Sequence, residues 1–293
     1  MPHTILLAGA TGMLGSRIAV HLLKQPDARL RLLVRALNDP KLRGLQGAEL
    51  VEGDLADPAS LDRATDGAEV VVSAVQGGRE VIVDGQIALA HAARRNGARH
   101  ILPSDYALDL FKATPGESPS YDARREADAG IADVGLAQVN VLQGAFMEML
   151  LPGRGAIDLQ AGTVSFYGDG ERPVEVTSVE DTARMIVRVV LDPDVPAGKF
   201  AFAGDRVSIR QAGEIVGARI GRSLRPVSLG SEDDLRKAMA AADAQKRTML
   251  AYLLYMLNGQ AALSDLQNGR YPNLKLEGFA DFAARTAAST APQ

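Results

Sequence analysis

The sequence contains no cysteine and no tryptophan, and aromatic residues make up only 4% of its 293 positions. Without cysteine the chain can form neither a disulfide nor a thiolate nucleophile, and zinc–thiolate sites are excluded. The four histidines are scattered along the chain, and no two of them have the spacing that metal ligands take on a helix. We therefore expect no metal site.

Concentrated positive charge and long apolar runs are also missing. The formal net charge is −4, and the basic pairs Arg94-Arg95 and Arg124-Arg125 are too short to form the phosphate-binding surface that nucleic acids require. No apolar run approaches the roughly 18 residues of a membrane-spanning helix. The segment Met1-Pro2-His3 leads directly into an apolar run without the features of a signal peptide. These patterns favour a cytoplasmic protein whose partners include neither nucleic acid nor membrane.

The first half of the sequence alternates regularly between two periodicities. Residues 4–8 form a short apolar run, typical of a strand buried on both faces of a parallel sheet, and residues 13–25 follow with the spacing of an amphipathic helix. Further strands are predicted at 30–34, 48–52, 69–75, 100–103 and 137–142, with helices at 80–96 and 122–134. This alternation predicts an α/β fold, a Rossmann-type doubly wound parallel sheet with the strand order 3-2-1-4-5-6.

The pattern changes after Gly144. Residues 152–178 are rich in glycine and proline and contain short β-like pieces, and mainly helical segments follow them. We therefore predict two domains. Residues 1–145 form the Rossmann domain, and residues 146–293 form a smaller α+β cap for a substrate, some of whose elements could return to pack on the Rossmann sheet.

A glycine-rich motif lies between the first predicted strand and the first predicted helix. It reads Gly9-Ala10-Thr11-Gly12-Met13-Leu14-Gly15, and its glycines allow a tight turn, a close approach to a phosphate and close packing of helix on strand. The N–H groups at the start of the helix then face the phosphates. The context of strand, loop and helix predicts a pyrophosphate-binding loop made by Gly9, Thr11, Gly12, Met13, Leu14 and Gly15.

The end of the second strand distinguishes between two dinucleotides. A carboxylate about 20 residues past the glycines would bind the ribose 2′-hydroxyl of NAD, but this position holds Arg35, and the nearest acid is Asp39. A guanidinium can bind a 2′-phosphate with two parallel hydrogen bonds, so Arg35 predicts NADPH/NADP as the cofactor. The alternative is that Arg35 is a solvent-facing strand end.

Three further loops follow predicted strands at the edge where ligands bind in open α/β sheets. We expect Asp54 and Leu55 to lie near the adenine ring, and Ala74 and Gln76 to lie near the nicotinamide ribose. The loop after the fifth strand lies at the same edge of the sheet. We therefore also expect Pro103 and Ser104, which begin this loop, to contact the cofactor. For each loop, an ordinary strand-ending turn is the alternative interpretation.

The glycine loop, Arg35, Gly53-Asp54 and the segment from His100 to Tyr106 resemble the NmrA-like branch of the atypical short-chain dehydrogenases, which includes isoflavone, phenylcoumaran and pinoresinol reductases. The segments 122–126 and 142–146 are similar to bacterial NmrA-like proteins in particular. This resemblance implies an NADPH-binding protein. Some relatives transfer a hydride to a double bond or a benzylic ether, and others bind the dinucleotide and regulate partners without turnover.

The resemblance also implies a lysine on the helix after the fifth strand, but that helix contains none, and Arg124 or Arg125 stands in its place. Tyr121 and Arg125 lie four residues apart, which resembles the Tyr-x-x-x-Lys motif of short-chain dehydrogenases with Arg replacing Lys. Tyr121 would be the acid, Arg125 would lower its pKa, and Ser104 would end the fifth strand beside them. Tyr106 and Lys112 are alternative proton donors. Tyr121 could instead be a packing residue.

These features predict an NADPH-dependent oxidoreductase that reduces a small, aromatic or carbonyl-bearing molecule by hydride transfer. The alternative is a non-catalytic NADP(H) sensor that binds a protein partner, which the missing lysine favours. A sugar-nucleotide epimerase is a third hypothesis. It is less favoured, because the sequence contains no convincing Tyr-x-x-x-Lys motif. A homodimer is expected because most soluble oligomers are symmetric dimers.

Overall fold

A computed structural model describes residues 3–153 and 155–290 of the chain. The chain divides into two compact units. The first, here called the sheet unit, comprises the described residues up to Tyr106 together with Ala123–Val141 and Thr182–Phe200. The second unit comprises Ala107–Asp122, Leu142–Asp181 and the described residues from Ala201 onward.

The strands are short and mostly apolar. Within the described residues they are, in chain order, β1 (His3–Ala8), β2 (Ala28–Val34), β3 (Glu49–Glu52), β4 (Val70–Ser73), β5 (His100–Leu102), β6 (Ala137–Leu142), β7 (Ala145–Phe146), β8 (Ile157–Asp158), β9 (Thr163–Phe166), β10 (Val174–Thr177), β11 (Gly198–Ala201), β12 (Asp205–Val207) and β13 (Arg225–Ser228).

The helices alternate with these strands through the first half of the chain. In the same described ranges the α-helices are α1 (Met13–Leu22), α2 (Pro58–Thr65), α3 (Gln86–Arg95), α4 (Pro119–Val134), α5 (Val179–Leu191), α6 (Ile209–Arg219), α7 (Glu232–Ala240), α8 (Ala244–Asn258) and α9 (Phe279–Thr290). A π-helical turn, Glu80–Gly85, leads directly into α3. None of the helices among the residues described has the length and apolar character needed to cross a membrane.

The principal sheet has seven strands in the order β11-β6-β5-β4-β1-β2-β3. From β3 to β6 every neighbouring pair is parallel. The predicted order 3-2-1-4-5-6 is therefore confirmed, and the Rossmann-type doubly wound fold with it. The seventh strand, β11, comes from the half of the sequence that was predicted to form the cap, and it adds to the β6 edge.

The core of the sheet unit follows from the period-2 alternation of strand side chains. Leu6 and Ala8 of β1 pack against buried residues of α2 and α3, such as Leu61 and Leu89. The neighbouring residues Ile5 and Leu7 are fully buried as well, so β1 is covered on both faces. This burial explains why the first strand reads as a continuous apolar run.

The second unit contains two small sheets of three strands each, β12-β10-β7 and β13-β9-β8, together with α6 to α9. The single boundary predicted near residue 145 differs from this division, because residues 107–122 belong to the second unit and residues 182–200 belong to the sheet unit. Most of α5 is in the latter range, where Met185, Ile186 and Val189 are completely buried. The role of the second unit as a substrate cap stays a prediction.

Candidate functional site

The glycine loop after β1 has the geometry that its sequence predicts. Gly9 has a φ of +91°, and a Cβ on it would lie 2.3 Å from the Ala74 carbonyl oxygen. A Cβ on Gly15 would lie 2.1 Å from the carbonyl oxygen of Gly9. Only glycine fits these two positions, since both clashes are with backbone atoms that cannot rotate away. The loop therefore packs directly against the end of β4.

The start of α1 is open to an anion. Gly12 is the N-cap and provides no side-chain hydrogen bond to the first turn, which contains no acidic residue. The first N–H groups of an α-helix have no partner within the helix, and the helix dipole favours a negative charge beside them. Thr11 is half-buried, Met13 is exposed, and Leu14 and Gly15 are buried and anchor the helix to the sheet.

Arg35 directly follows β2 at the same edge and is exposed. The Asp39 carboxylate accepts the Lys41 backbone N–H at 2.9 Å and so caps the 3₁₀ turn Pro40–Leu42. The acid nearest to the expected NAD position is thus engaged in local structure. This arrangement favours a ribose that carries a 2′-phosphate.

The other predicted cofactor residues also lie at the carboxyl edge of the sheet. Asp54 is exposed, and its carboxylate accepts the Ala56 N–H at 2.8 Å. Leu55 packs against the core of the sheet unit. Ala74 lies against Gly9, and Gln76 is exposed two residues further on. The loops after β1 and β4 are therefore in contact, as binding of one extended dinucleotide requires.

The turn after β5 is fixed by hydrogen bonds to β4 and to the loop that follows β4. The Ser104 hydroxyl donates to the Val75 carbonyl oxygen at 2.8 Å, and the Tyr106 hydroxyl donates to the Ser73 carbonyl oxygen at 3.0 Å. Tyr106 has a φ of +20°, which is unusual for a residue with a side chain. Its burial raises the pKa of the Tyr106 hydroxyl, and the nearby Asp105 adds to this effect. A hydroxyl with a raised pKa is a weaker acid, so Tyr106 is better suited to hold the turn than to donate a proton.

Sequence reasoning missed Gln86. Its side-chain oxygen accepts the Ser104 backbone N–H at 2.9 Å, and its amide donates to the Ile82 carbonyl oxygen at 2.8 Å. Ile82 belongs to the π-helical turn, where the sequence predicted one continuous helix over 80–96. Gln86 is completely buried. A polar residue on the buried face of an amphipathic pattern was the available signal, and π-turns are frequent at functional sites.

Helix α4 brings Arg124 to the end of β5. The Arg124 Nε donates to the Ser104 carbonyl oxygen at 2.9 Å. Near it lie two buried carboxyls, Asp105 and Asp128, and the Asn140 amide donates to Asp105 at 2.9 Å. Burial raises the pKa of Asp105 to about 6 and the pKa of Asp128 to about 9. No sequence pattern predicted that these three side chains lie close together.

Two of the predicted proton donors belong to the second unit. Tyr121 is completely buried there, with its ring centre 5.2 Å from that of Tyr252 and 5.5 Å from that of Tyr255. The Lys112 ammonium donates to the Ala262 carbonyl oxygen at 2.7 Å and to the Ser264 hydroxyl at 3.1 Å. The surroundings of Tyr121 indicate a packing residue, and the hydrogen bonds of Lys112 indicate that its side chain holds neighbouring segments of the second unit together. The sheet unit itself brings together Ser104, Tyr106 and Arg124.

Among the residues that the structure describes, no group of three or more His, Asp or Glu residues is placed to bind a metal ion. The titratable side chains at the β5 turn include Asp105, Tyr106, Asp128 and Arg124.

Comparison with known proteins identifies relatives of the whole architecture. A family model described as the NmrA-like family matches residues 1–275. Pinoresinol reductase 1 of Arabidopsis thaliana is 27% identical over 218 residues, which are 64% of this chain and 65% of that protein. The matched part is therefore just under two thirds of that relative's length.

Solved structures share the fold over nearly the full chain. One, described as AtPrR2 with NADP+ and (+)pinoresinol, has a TM-score of 0.83 at 20% identity and covers 97% of this chain and 99% of that chain. A binary complex of leucoanthocyanidin reductase and NADPH from Vitis vinifera has a TM-score of 0.82 at 21% identity, with the same coverage. Both are complexes with the dinucleotide that Arg35 predicts.

Proposed function

The chain belongs to the NmrA-like family, and on that premise we propose that it is an NADP(H)-dependent reductase of a small aromatic or carbonyl-bearing molecule. The observation that carries this proposal is the loop from Gly9 to Gly15. Two of its glycines are required by backbone contacts, and its middle glycine begins an uncapped helix. The relatives are named as reductases, which is consistent with this proposal. Their sequence identity to this chain is low, so their names do not identify its substrate.

NADPH would supply the hydride. The glycine loop and the start of α1 would bind the pyrophosphate, and Arg35 would bind the 2′-phosphate. The loop of Ala74 and Gln76 would pass the nicotinamide ribose. Because a guanidinium does not titrate in proteins, Arg124 would stabilise negative charge that develops on the substrate, and the proton would come from solvent. Ser104 and Tyr106 would keep the β5 turn in place.

Cofactor choice is tested by calorimetry with NADPH and NADH. We expect NADPH to bind more tightly, because charge-assisted hydrogen bonds from Arg35 to the 2′-phosphate have no counterpart in NADH. The Arg35→Ala variant should weaken NADPH binding by ~10–100-fold and leave NADH binding nearly unchanged. The Arg63→Ala variant, which removes an exposed guanidinium from α2, is the matched control. Equal affinities for the two dinucleotides would contradict the assignment of Arg35.

Turnover is tested separately, by following NADPH oxidation with quinones, enones, aldehydes and lignan-like ethers. A reductase should oxidise NADPH with at least one of these classes, and the Arg124→Met variant should lower kcat more than it raises KM. A variant of the exposed neighbour Glu126 would not be a clean control, because Glu126 pairs with Arg79. Asp133→Asn, at an exposed position of α4, serves instead.

A non-catalytic NADP(H) sensor is the second candidate. Two observations favour it: α4 contains no lysine, and Tyr121 is packed among aromatic rings. Tight NADPH binding without oxidation of the cofactor by any of the four substrate classes would support this function over a reductase. A protein partner would then be sought with the NADPH-bound and NADP+-bound forms as separate baits.

A further inference from the structure

The loop that follows β4 is held by hydrogen bonds to both neighbouring strand ends. The Ala74 backbone N–H donates to the Ala8 carbonyl oxygen of β1 at 2.9 Å. The Val75 carbonyl oxygen accepts the Ser104 hydroxyl, just past β5, at 2.8 Å. The next residues, Gln76-Gly77-Gly78, are exposed. Because two successive glycines have many accessible backbone conformations, this part of the loop is ordered only if the chain on either side of it is fixed.

The π-helical turn after this loop gives Gln86 an unusual set of hydrogen bonds. In a regular α-helix the Gln86 backbone N–H would donate to the Ile82 carbonyl oxygen, four residues earlier. Here that N–H donates to the Val83 carbonyl oxygen. The Ile82 oxygen accepts the Gln86 side-chain amide at 2.8 Å. This bond fixes the amide group, whose oxygen accepts the Ser104 backbone N–H at 2.9 Å.

Gln86 and Ser104 thereby close the loop after β4 into a ring. The chain runs from Val75 through the π-helical turn to Gln86, the Gln86 oxygen binds the Ser104 N–H, and the Ser104 hydroxyl returns to Val75. Gln86 is completely buried, and Ser104 is 4% exposed. Breaking such bonds is costly because it leaves buried polar groups without partners. The ring therefore restricts the exposed residues 76–78 to few conformations.

We propose that Gln86 is a positioning residue for the nicotinamide half of NADP(H). It acts through Ser104 and fixes the loop after β4 in the conformation that binds this half of the cofactor. A loop that is ordered before binding loses less conformational entropy when the cofactor binds. This role rests on the proposed function, in which the loop passes the nicotinamide ribose.

The role is tested by calorimetry with NADPH and with adenosine 2′,5′-bisphosphate, which lacks the nicotinamide half. Gln86→Met removes both side-chain hydrogen bonds at similar volume. It should weaken NADPH binding by about tenfold and leave the affinity for adenosine 2′,5′-bisphosphate unchanged. A general loss of structure would not distinguish the two ligands. Equal weakening of both would therefore overturn the proposal.

Gln138→Met is the matched control. It makes the same substitution at a half-buried glutamine near the amino end of β6, away from the expected cofactor edge. The Gln138 amide also donates to a backbone oxygen, that of Asp128, at 3.2 Å. Both ligands should bind this variant as they bind the wild type. A selective loss of NADPH affinity in Gln138→Met as well would show that the effect does not depend on the ring.

The route through Ser104 is tested by a double-mutant cycle. Ser104→Ala removes the hydroxyl that binds Val75 and keeps the backbone N–H that binds Gln86. If both residues act through one ring, the double variant should lose about as much NADPH affinity as the more affected single variant. Losses that combine in full would show that Gln86 acts by another route and would overturn the proposal.

Gln86→Met leaves the buried Ser104 N–H without an acceptor, so thermal unfolding is used to check that the variant folds. If it does not fold, Gln86→Asn replaces it. The amide of this variant is one methylene too short to bind both partners, and the same selective loss is expected. Unchanged NADPH affinity in a folded Gln86 variant overturns the role of Gln86.

The outcomes also separate this role from the proposed reductase function. If the wild type binds NADPH but oxidises it with no substrate class, while Gln86→Met shows the selective loss, the reductase function fails and the role of Gln86 stands. If NADPH is oxidised while the Gln86 variants bind it as the wild type does, the reductase function stands and the role of Gln86 fails.

Discussion

At the scale of single residues, glycine is required at the three positions of the loop for different physical reasons. Gly9 and Gly15 are required by the fold, because a Cβ on either would lie within 2.3 Å of a backbone oxygen. Gly12 has ordinary dihedral angles, with a φ of −81°, and a Cβ on it would lie 3.3 Å from the Gly9 carbonyl oxygen. The requirement for glycine at position 12 therefore comes mainly from the expected phosphate.

This difference predicts opposite outcomes for two alanine variants. Gly15→Ala should lower the free energy of unfolding of the apo protein by about 2–4 kcal/mol, because strand and helix must separate to admit the methyl group. Gly12→Ala should cost the apo protein less than about 1 kcal/mol and weaken NADPH binding at least tenfold. Chemical denaturation and calorimetry measure the two effects. Equal loss of apo stability in both variants would contradict this distinction.

At the scale of elements, Arg31 joins β2 to α2. It is 9% exposed, and its guanidinium donates to the carbonyl oxygens of Ala64 and Asp66, where α2 ends, at 2.9 and 2.5 Å. It also pairs with Glu49 on β3. The last carbonyl groups of a helix lack partners within the helix, so a buried arginine that binds them fixes the helix on the sheet.

Replacing Arg31 with Met should therefore lower the free energy of unfolding by about 2–3 kcal/mol, since buried carbonyl groups lose a charged donor. Arg29→Met provides a matched control. Arg29 lies on the same strand and contacts the same Glu49, but its side chain is 63% exposed. Its loss should cost less than about 1 kcal/mol. Urea denaturation measures the free energy of unfolding of the two variants. Similar midpoints would contradict the role of Arg31.

At the scale of the whole molecule, the free energy of unfolding depends on pH through buried groups. Folding lowers the pKa of some of these groups and raises the pKa of others. Burial lowers the pKa of His100 on β5 to about 4, and the neighbouring Arg99 adds to this shift. Its Nε2 has no hydrogen-bond partner among the described residues. The unfolded chain binds a proton at His100 below about pH 6.5, whereas the folded chain resists it.

The stability that neutral His100 provides is therefore fully present above pH 6.5 and is lost as the pH falls towards 4, by up to ~3 kcal/mol. His100→Gln should remove this part of the acid dependence. His91→Gln, at an exposed position of α3, should not change it. Denaturant midpoints between pH 4 and 7 measure the effect, and an unchanged slope in His100→Gln would show that His100 does not contribute.

Asp128 predicts the opposite trend. Its pKa of about 9 lies above that of an unfolded aspartate, so its contribution is complete at acid pH and is lost as the pH rises towards 9. Asp128→Asn should consequently gain stability relative to the wild type as the pH rises from 5 to 9. Asp133→Asn should show a constant difference from the wild type over the same range.

Much of the architecture was determined by local sequence patterns. Continuous apolar runs predicted buried parallel strands, and the glycine spacing after the first of them predicted the tight loop between β1 and α1 that the structure contains. The role of Arg35 in choosing the dinucleotide stays a prediction, and two structures of similar fold contain NADP+ or NADPH. Such inferences succeed because periodicity, loop position and the chemistry of a single strand end are all properties of short segments.

Tertiary structure alone decided the rest. Tyr121 and Arg125 suit a catalytic pair by spacing, yet Tyr121 is packed among aromatic rings of the second unit. Asp105, Asp128 and Asn140 are separated by up to 35 residues in sequence and meet only when the β5 turn, α4 and β6 pack together. The sequence determined which side chains were available. Burial, which depends on contacts between distant segments, decided which of them pack in a core and which carboxyls have a raised pKa.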